Sequence, residues 1–170
     1  PHLDSFHNKY PNIHIQIISG RSHKVLGLLH SGKVDVAFAS SPAENEGLNC
    51  VPCLTTHTSF VAAADYPCDF GHAYSMEEIA ALPLILLERK ASSRVYLEKF
   101  FLAHGLSLSP EIELGARCLL VDLARIGFGV AGVTREFGSA ELAGGAIREL
   151  KTDFEIPARS VDMCTLRDVP

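Results

Sequence analysis

Apolar and polar positions along this chain switch between two periods, and the switches mark its elements. Leu3, Phe6, His7 and Tyr10 recur at helical spacing as far as Pro11; Ile13, Ile15 and Ile17 then alternate with polar residues as a half-buried strand does. The period becomes helical again at residues 22–30, where Val25, Leu26, Leu28 and Leu29 make one apolar face. Ser22 stands where a side chain accepts from the first free N–H groups of that helix, and Gly32 supplies its left-handed stop. Residues 34–39 read as a buried strand that ends in Ser40-Ser41-Pro42. Polar groups therefore sit at the carboxyl end of a strand, where open α/β sheets bind ligands.

Two extended runs follow at residues 48–54 and 59–64, and Tyr66-Pro67 marks a turn and a lobe boundary. Beyond it Ser75-Met76-Glu77-Glu78 has capping-box spacing, residues 83–87 are strand-like, and Ser92 or Ser93 can cap a helix that Gly105 ends. Residues 111–114 read as a strand, 116–126 as a helix with Leu119, Leu120 and Leu123 on one face, and 128–133 as a buried strand. A last extended run covers residues 161–166. Strands alternating with helices predict α/β lobes with largely parallel sheets.

Composition narrows the partners. Of 170 residues, 47% are hydrophobic and 21% charged, enough apolar material for a core and too much for a disordered chain. The net charge of −5 is dispersed, and no basic cluster is present to neutralise a row of phosphates, which argues against nucleic-acid binding by this chain alone. No apolar run is long enough to span a bilayer, and the first residues lack the basic and apolar regions of a secretion signal. With five cysteines that cannot all pair, in a chain large enough to have a core, the expectation is reduced thiols, a cytoplasmic location and a chain excised from a longer protein.

Three motifs invite chemistry. Gly127-Phe128-Gly129-Val130-Ala131-Gly132 spells a dinucleotide fingerprint, yet a helix precedes it and a strand follows, the reverse of what pyrophosphate binding requires. The expected reading is a helix stop followed by a buried strand. Cys50-Val51-Pro52-Cys53 lies in an extended run, where positions three apart face opposite ways, and no second ligand pair completes a metal site. Two partly buried thiols are expected there. Eight histidines form no metal-binding spacing, and only His57, just before an extended run, stands near a hinge where protonation could matter. No nucleophile-elbow motif is present, so the expectation is a non-enzymatic protein without cofactor or metal. Stronger candidates are Gly20-Arg21-Ser22, Ser92-Ser93-Arg94 and Gly115-Ala116-Arg117, each at the entry to a helix whose positive dipole end favours an anion.

The segments PHLDSFHNKYPNIHIQI, LLHSGKVDVAFA, SFVAAADYP, ALPLILLE and LLVDLARIGFGVAGV, in this order, resemble the effector-binding domain of LysR-type bacterial transcriptional regulators. The resemblance implies a two-lobed, periplasmic-binding-protein-like fold of type II, with residues 1–61 and 161–170 in one lobe, 62–160 in the other, and two crossing strands between them. It implies a small organic anion in the cleft, with Gly20, Arg21, Ser22, Ser40 and Ser41 on one wall and Ser92, Ser93, Arg94 and Arg117 on the other. It implies a homodimer or higher homo-oligomer in which the first helix and the Ile13–Ile15–Ile17 run meet the helix at 95–104 of a second copy. DNA would be reached only through an amino-terminal winged helix-turn-helix that these residues do not include; the first strand and last helix usual in such a domain are also outside them. A free-standing solute receptor or a small α/β enzyme of similar fold are the alternatives.

Overall fold

The strands divide between two main sheets in a computed structural model that describes residues 2–40 and 47–167. In chain order the elements are α1 (His2–Lys9), α2 (Ser22–His30), β1 (Ala37–Ser40), β2 (Leu48–Thr56), β3 (Thr58–Ala63), β4 (Ala73–Tyr74), α3 (Met76–Ala81), β5 (Leu84–Leu87) and α4 (Ser92–Ala103). Then come β6 (Ile112–Leu114), α5 (Arg117–Arg125), β7 (Val130–Thr134), a 3-10 turn (Arg135–Gly138), α6 (Ser139–Ala143), β8 (Ile147–Glu149), β9 (Lys151–Thr152) and β10 (Arg159–Leu166). The first sheet has the order β1-β10-β2 and the second β6-β5-β7-β3-β8. The chain leaves the first sheet at Thr56, enters the second at Thr58, and returns at Arg159, which pairs with Thr56.

Parallel pairing occurs where helices make the crossovers, in β5 with β6 and with β7, and in the small β4–β9 ribbon. The first sheet is antiparallel throughout its described strands, because β10 re-enters it from the other lobe and runs against both neighbours. The second sheet is covered on both faces, so β3 from Ser59 onward and all of β5 are buried. Period two then sorts the side chains: Leu84 and Leu86 pack with Ile79, Leu97 and Phe101, while Ile85 and Leu87 pack with Leu120 and Ala124 of α5. The first sheet has a smaller core of Leu26, Leu29, Ala37, Ala39, Leu48 and Cys164.

Several expectations need correction. Ile13, Ile15 and Ile17 form no strand; the segment has no ladder partner among the described residues, and these side chains are exposed. Alternation supplies a face, but a strand also needs a neighbouring backbone to bond to. Cys50 is not a free thiol: it faces Cys164 across β2 and β10, and the two form a disulfide. That pairing joins residues far apart in sequence and is invisible to a search for short spacings. Cys53 is free and exposed, beside a bulge where the β2–β10 register shifts, so the two cysteines of the short motif do not converge. Ser22, Ser92 and Ser93 lie inside their helices, whose N-caps are Arg21 and Ala91 without side-chain capping bonds.

The glycine motif has a structural account at each position. Gly127, at φ 82°, terminates α5. A Cβ on Gly129 would lie 2.3 Å from the Pro83 carbonyl oxygen, and one on Gly132 2.5 Å from Leu86 Cδ2. The glycines let β7 sit tightly against its neighbours. Ser75 makes the expected capping box, its hydroxyl accepting from the Glu78 N–H while the Glu78 carboxylate accepts from the Ser75 N–H at 2.8 Å.

Candidate functional site

The carboxyl ends of β5, β6 and β7 lead into the starts of α4, α5 and the 3-10 turn, and these junctions share one end of the second sheet. The start of α2 faces them from the first lobe: Arg21, its N-cap, forms an ion pair with Glu88, which follows β5. The capping chemistry there differs from that elsewhere. α3 has its complete capping box, whereas α2, α4 and α5 begin with no side-chain cap. Their first N–H groups and positive dipole ends are left for water or for an anion.

A cavity of about 270 Å³ opens among these junctions, and its wall includes Ser93, Arg117, Cys118, Thr134, Phe137 and Glu141. Arg117 is the first residue of α5, and its guanidinium lies 5.1 Å from the centroid of the Phe137 ring. That contact holds the charge at the cavity wall while leaving its hydrogen-bonding edges free. The cavity is lined by second-lobe residues, and Ser93 and Arg117 are the two sequence candidates on its wall.

The other candidates occupy distinct places. The Ser22 hydroxyl accepts from the Ser40 N–H at 3.2 Å, tying the start of α2 to the end of β1. Gly20 lies beside Lys24 and Val25, each 3.3 Å from where its Cβ would be. Ser92 opens α4 and is half-buried. Ser41 lies outside the described residues. Arg94 is 2% exposed, and its guanidinium donates to the Leu87 carbonyl at 3.1 Å, Glu98 at 2.8 Å and Glu113 at 3.3 Å. It braces the β5–α4 junction from beneath.

Two features lie beyond the sequence candidates. His57 links β2 to β3, and Glu136 accepts from its backbone N–H at 3.0 Å and meets its ring Nδ1 at 2.6 Å. Burial pushes the Glu136 carboxyl up, but bonding to the His57 ring and backbone outweighs this and holds it below its ordinary value. Arg159, at the start of β10, is 7% exposed and lies 4.9 Å from the Tyr96 ring centroid. A cation at the start of an extended run was the available signal for it, masked by the polar residues around it. Among the described residues no group of three or more His, Cys, Asp or Glu is arranged to hold a metal, and no helix is long and apolar enough to cross a membrane.

This architecture has many counterparts. The regulatory domain of CcmR from Synechocystis PCC6803, solved in complex with 2-PG, superposes with a TM-score of 0.86 at 20% identity, covering 99% of this chain and 81% of that one. The effector-binding domain of QuiR in complex with shikimate gives 0.79 at 16%, covering 99% and 80%. By sequence, the HTH-type transcriptional regulator cbl of Klebsiella aerogenes is 26% identical over 146 residues, which is 84% of this chain and 46% of that protein. The chain spans about half the length of the curated relatives it matches. Residues 1–170 match the family model of the LysR substrate binding domain, so the two-lobed α/β fold and the order of its elements have one explanation: the chain belongs to the LysR substrate-binding domain family.

Proposed function

We propose that this chain is the effector-sensing part of a bacterial transcriptional regulator, a cytoplasmic, non-enzymatic receptor that needs no cofactor and closes around a small organic anion. The observation that carries the reading is the pair of uncapped starts of α4 and α5 beside a cavity with Arg117 and Ser93 on its wall, with the uncapped start of α2 brought to the same end of the sheet by the Arg21–Glu88 ion pair. The anion bound by CcmR, 2-PG, and the shikimate bound by QuiR support the same ligand class. In this reading residues 1–61 with 161–170 and residues 62–160 are the two lobes. Gly20, Arg21, Ser22, Ser40 and Ser41 form one wall of the cleft, and Ser92, Ser93, Arg94 and Arg117 the other, with Arg94 acting through the junction it braces. The Arg21–Glu88 ion pair spans the two walls and favours their approach.

Signalling then requires a second copy and a DNA-binding domain elsewhere in the parent protein. Leu3, Phe6, Tyr10, Ile13, Ile15 and Ile17 are exposed on α1 and the segment after it, and Val95 and Leu102 are exposed on α4, which gives two apolar surfaces suited to a two-fold dimer. Arg117→Ala tests the effector site. The variant keeps the fold and loses about 1.5–3 kcal/mol of affinity, the worth of one charge-assisted hydrogen bond, for an acid found by thermal-shift screening and measured by calorimetry. Unchanged affinity removes Arg117 from the site.

A further inference from the structure

Among the described residues two arginines are buried, and only one is neutralised. Arg94 has the Glu98 and Glu113 carboxylates at 2.8 Å and 3.3 Å. Arg159 has no carboxylate at ion-pair distance among the described residues; its buried Nε, like that of Arg94, has no hydrogen-bond partner, so it is the missing counter-charge that sets Arg159 apart. It opens β10 where that strand pairs with Thr56 in the first sheet, and its side chain reaches Tyr96 on α4, a helix packed on the second sheet, so its charge lies between the two sheets. A cation–π contact returns only part of the cost of taking a guanidinium out of water. Burial accordingly lowers its affinity for its proton; Tyr96 and Glu136 oppose this, while Arg117 adds to it as a second cation in the same surroundings.

We infer that Arg159 is the buried cation that receives the anionic group of the effector, a carboxylate or phosphoryl oxyanion whose oxygen completes the unpartnered Nε. The inference rests on the cleft reading above and deepens it by naming the charge that the ligand neutralises. Arg117, exposed and held against Phe137, then meets the anion first, and Arg159 holds it at the crossing, where a change is felt by both lobes.

The test is thermal unfolding of the chain and of its Arg159→Met, Arg159→Lys and Arg117→Ala variants, with inorganic phosphate, benzoate and succinate as probes and benzamide and succinamide as neutral controls. Without anion, Arg159→Met unfolds at the wild-type temperature or above, because Met keeps much of the packing and removes an unpaired buried charge. A bound anion raises the wild-type midpoint by about 5 °C or more at a hundredfold excess over its Kd, and the amides do not. In Arg159→Met the affinity falls by about tenfold to a hundredfold, and Arg159→Lys is intermediate. A response to phosphate alone assigns the site to a phosphoryl or inorganic oxyanion, and one to the carboxylates to an organic acid; both support the inference. If Arg159→Met is less stable and keeps the full anion response while Arg117→Ala loses it, Arg159 is structural and the cleft reading stands. A wild-type chain that responds to none of the anions overturns both.

Discussion

Replacing Arg94 by Met tests how the wall of the cleft is supported. The side chain is completely buried, and the substitution removes three N–H···O bonds, one to the Leu87 carbonyl and two to the Glu98 and Glu113 carboxylates. Breaking a buried ion pair from one side costs about 3–5 kcal/mol. Here the carboxylates are 34% and 37% exposed and recover hydration, while the Leu87 carbonyl loses a donor in a buried setting, so the expected loss is near the lower bound, about 3 kcal/mol. For a chain of this size that is a fall of about 6–12 °C in the melting midpoint. Circular dichroism during urea unfolding reads it directly, and the absence of Trp makes helix content the better signal. Glu98→Gln in the same background should recover part of the loss, since the two side chains share one bond. A loss under about 1 kcal/mol would mean that Arg94 is not bonded as described, and the β5–α4 junction would need another brace.

Four further outcomes follow from the same geometry. Gly129→Ala forces a Cβ against the Pro83 carbonyl oxygen, which accepts from the Val130 N–H at 3.0 Å, and should cost about 2–4 kcal/mol in urea unfolding; a neutral result would place β7 farther from Pro83. The Glu78 carboxyl is held below its ordinary value by the Ser75 N–H and then by His72, so its contribution is present above the unfolded value, near 4.5, and is lost as pH falls through the lower folded value. Glu78→Gln should therefore flatten the dependence of stability on pH below 4.5, and an unchanged slope would exclude the carboxylate from the cap. Treatment with a dithiol should open Cys50–Cys164, a bridge across 114 residues, and lower the melting midpoint by the equivalent of up to about 5 kcal/mol; peptide mapping that finds Cys53 in the bridge instead would contradict the β2–β10 register. Sedimentation at micromolar concentration should show a dimer burying more than about 1,000 Å², and Leu102→Glu should dissociate it without unfolding the chain.

Local pattern was enough for much of the fold. The buried runs in β3, β5 and β7, the positive-φ stops at Gly32, Gly105 and Gly127, and the capping box at Ser75 are each written within a few neighbouring residues, because backbone conformation and side-chain period are local properties. The candidate site was legible as a class, helix starts bearing Ser and Arg, but not in its details. Arg94 and Arg117 occupy similar positions in their helices, yet one is braced by Glu98 and Glu113 and the other stands at a cavity wall beside Phe137. Nothing within either segment distinguishes them; the strands that arrive from elsewhere do. The same holds for Arg21 and Glu88, 67 residues apart, for Cys50 and Cys164, and for Arg159, whose missing partner is a property of the surface that folds over it. A residue's period and propensity are set by its neighbours in sequence, whereas its charge balance and its access to a ligand depend on which distant faces meet, and only the tertiary structure decides that.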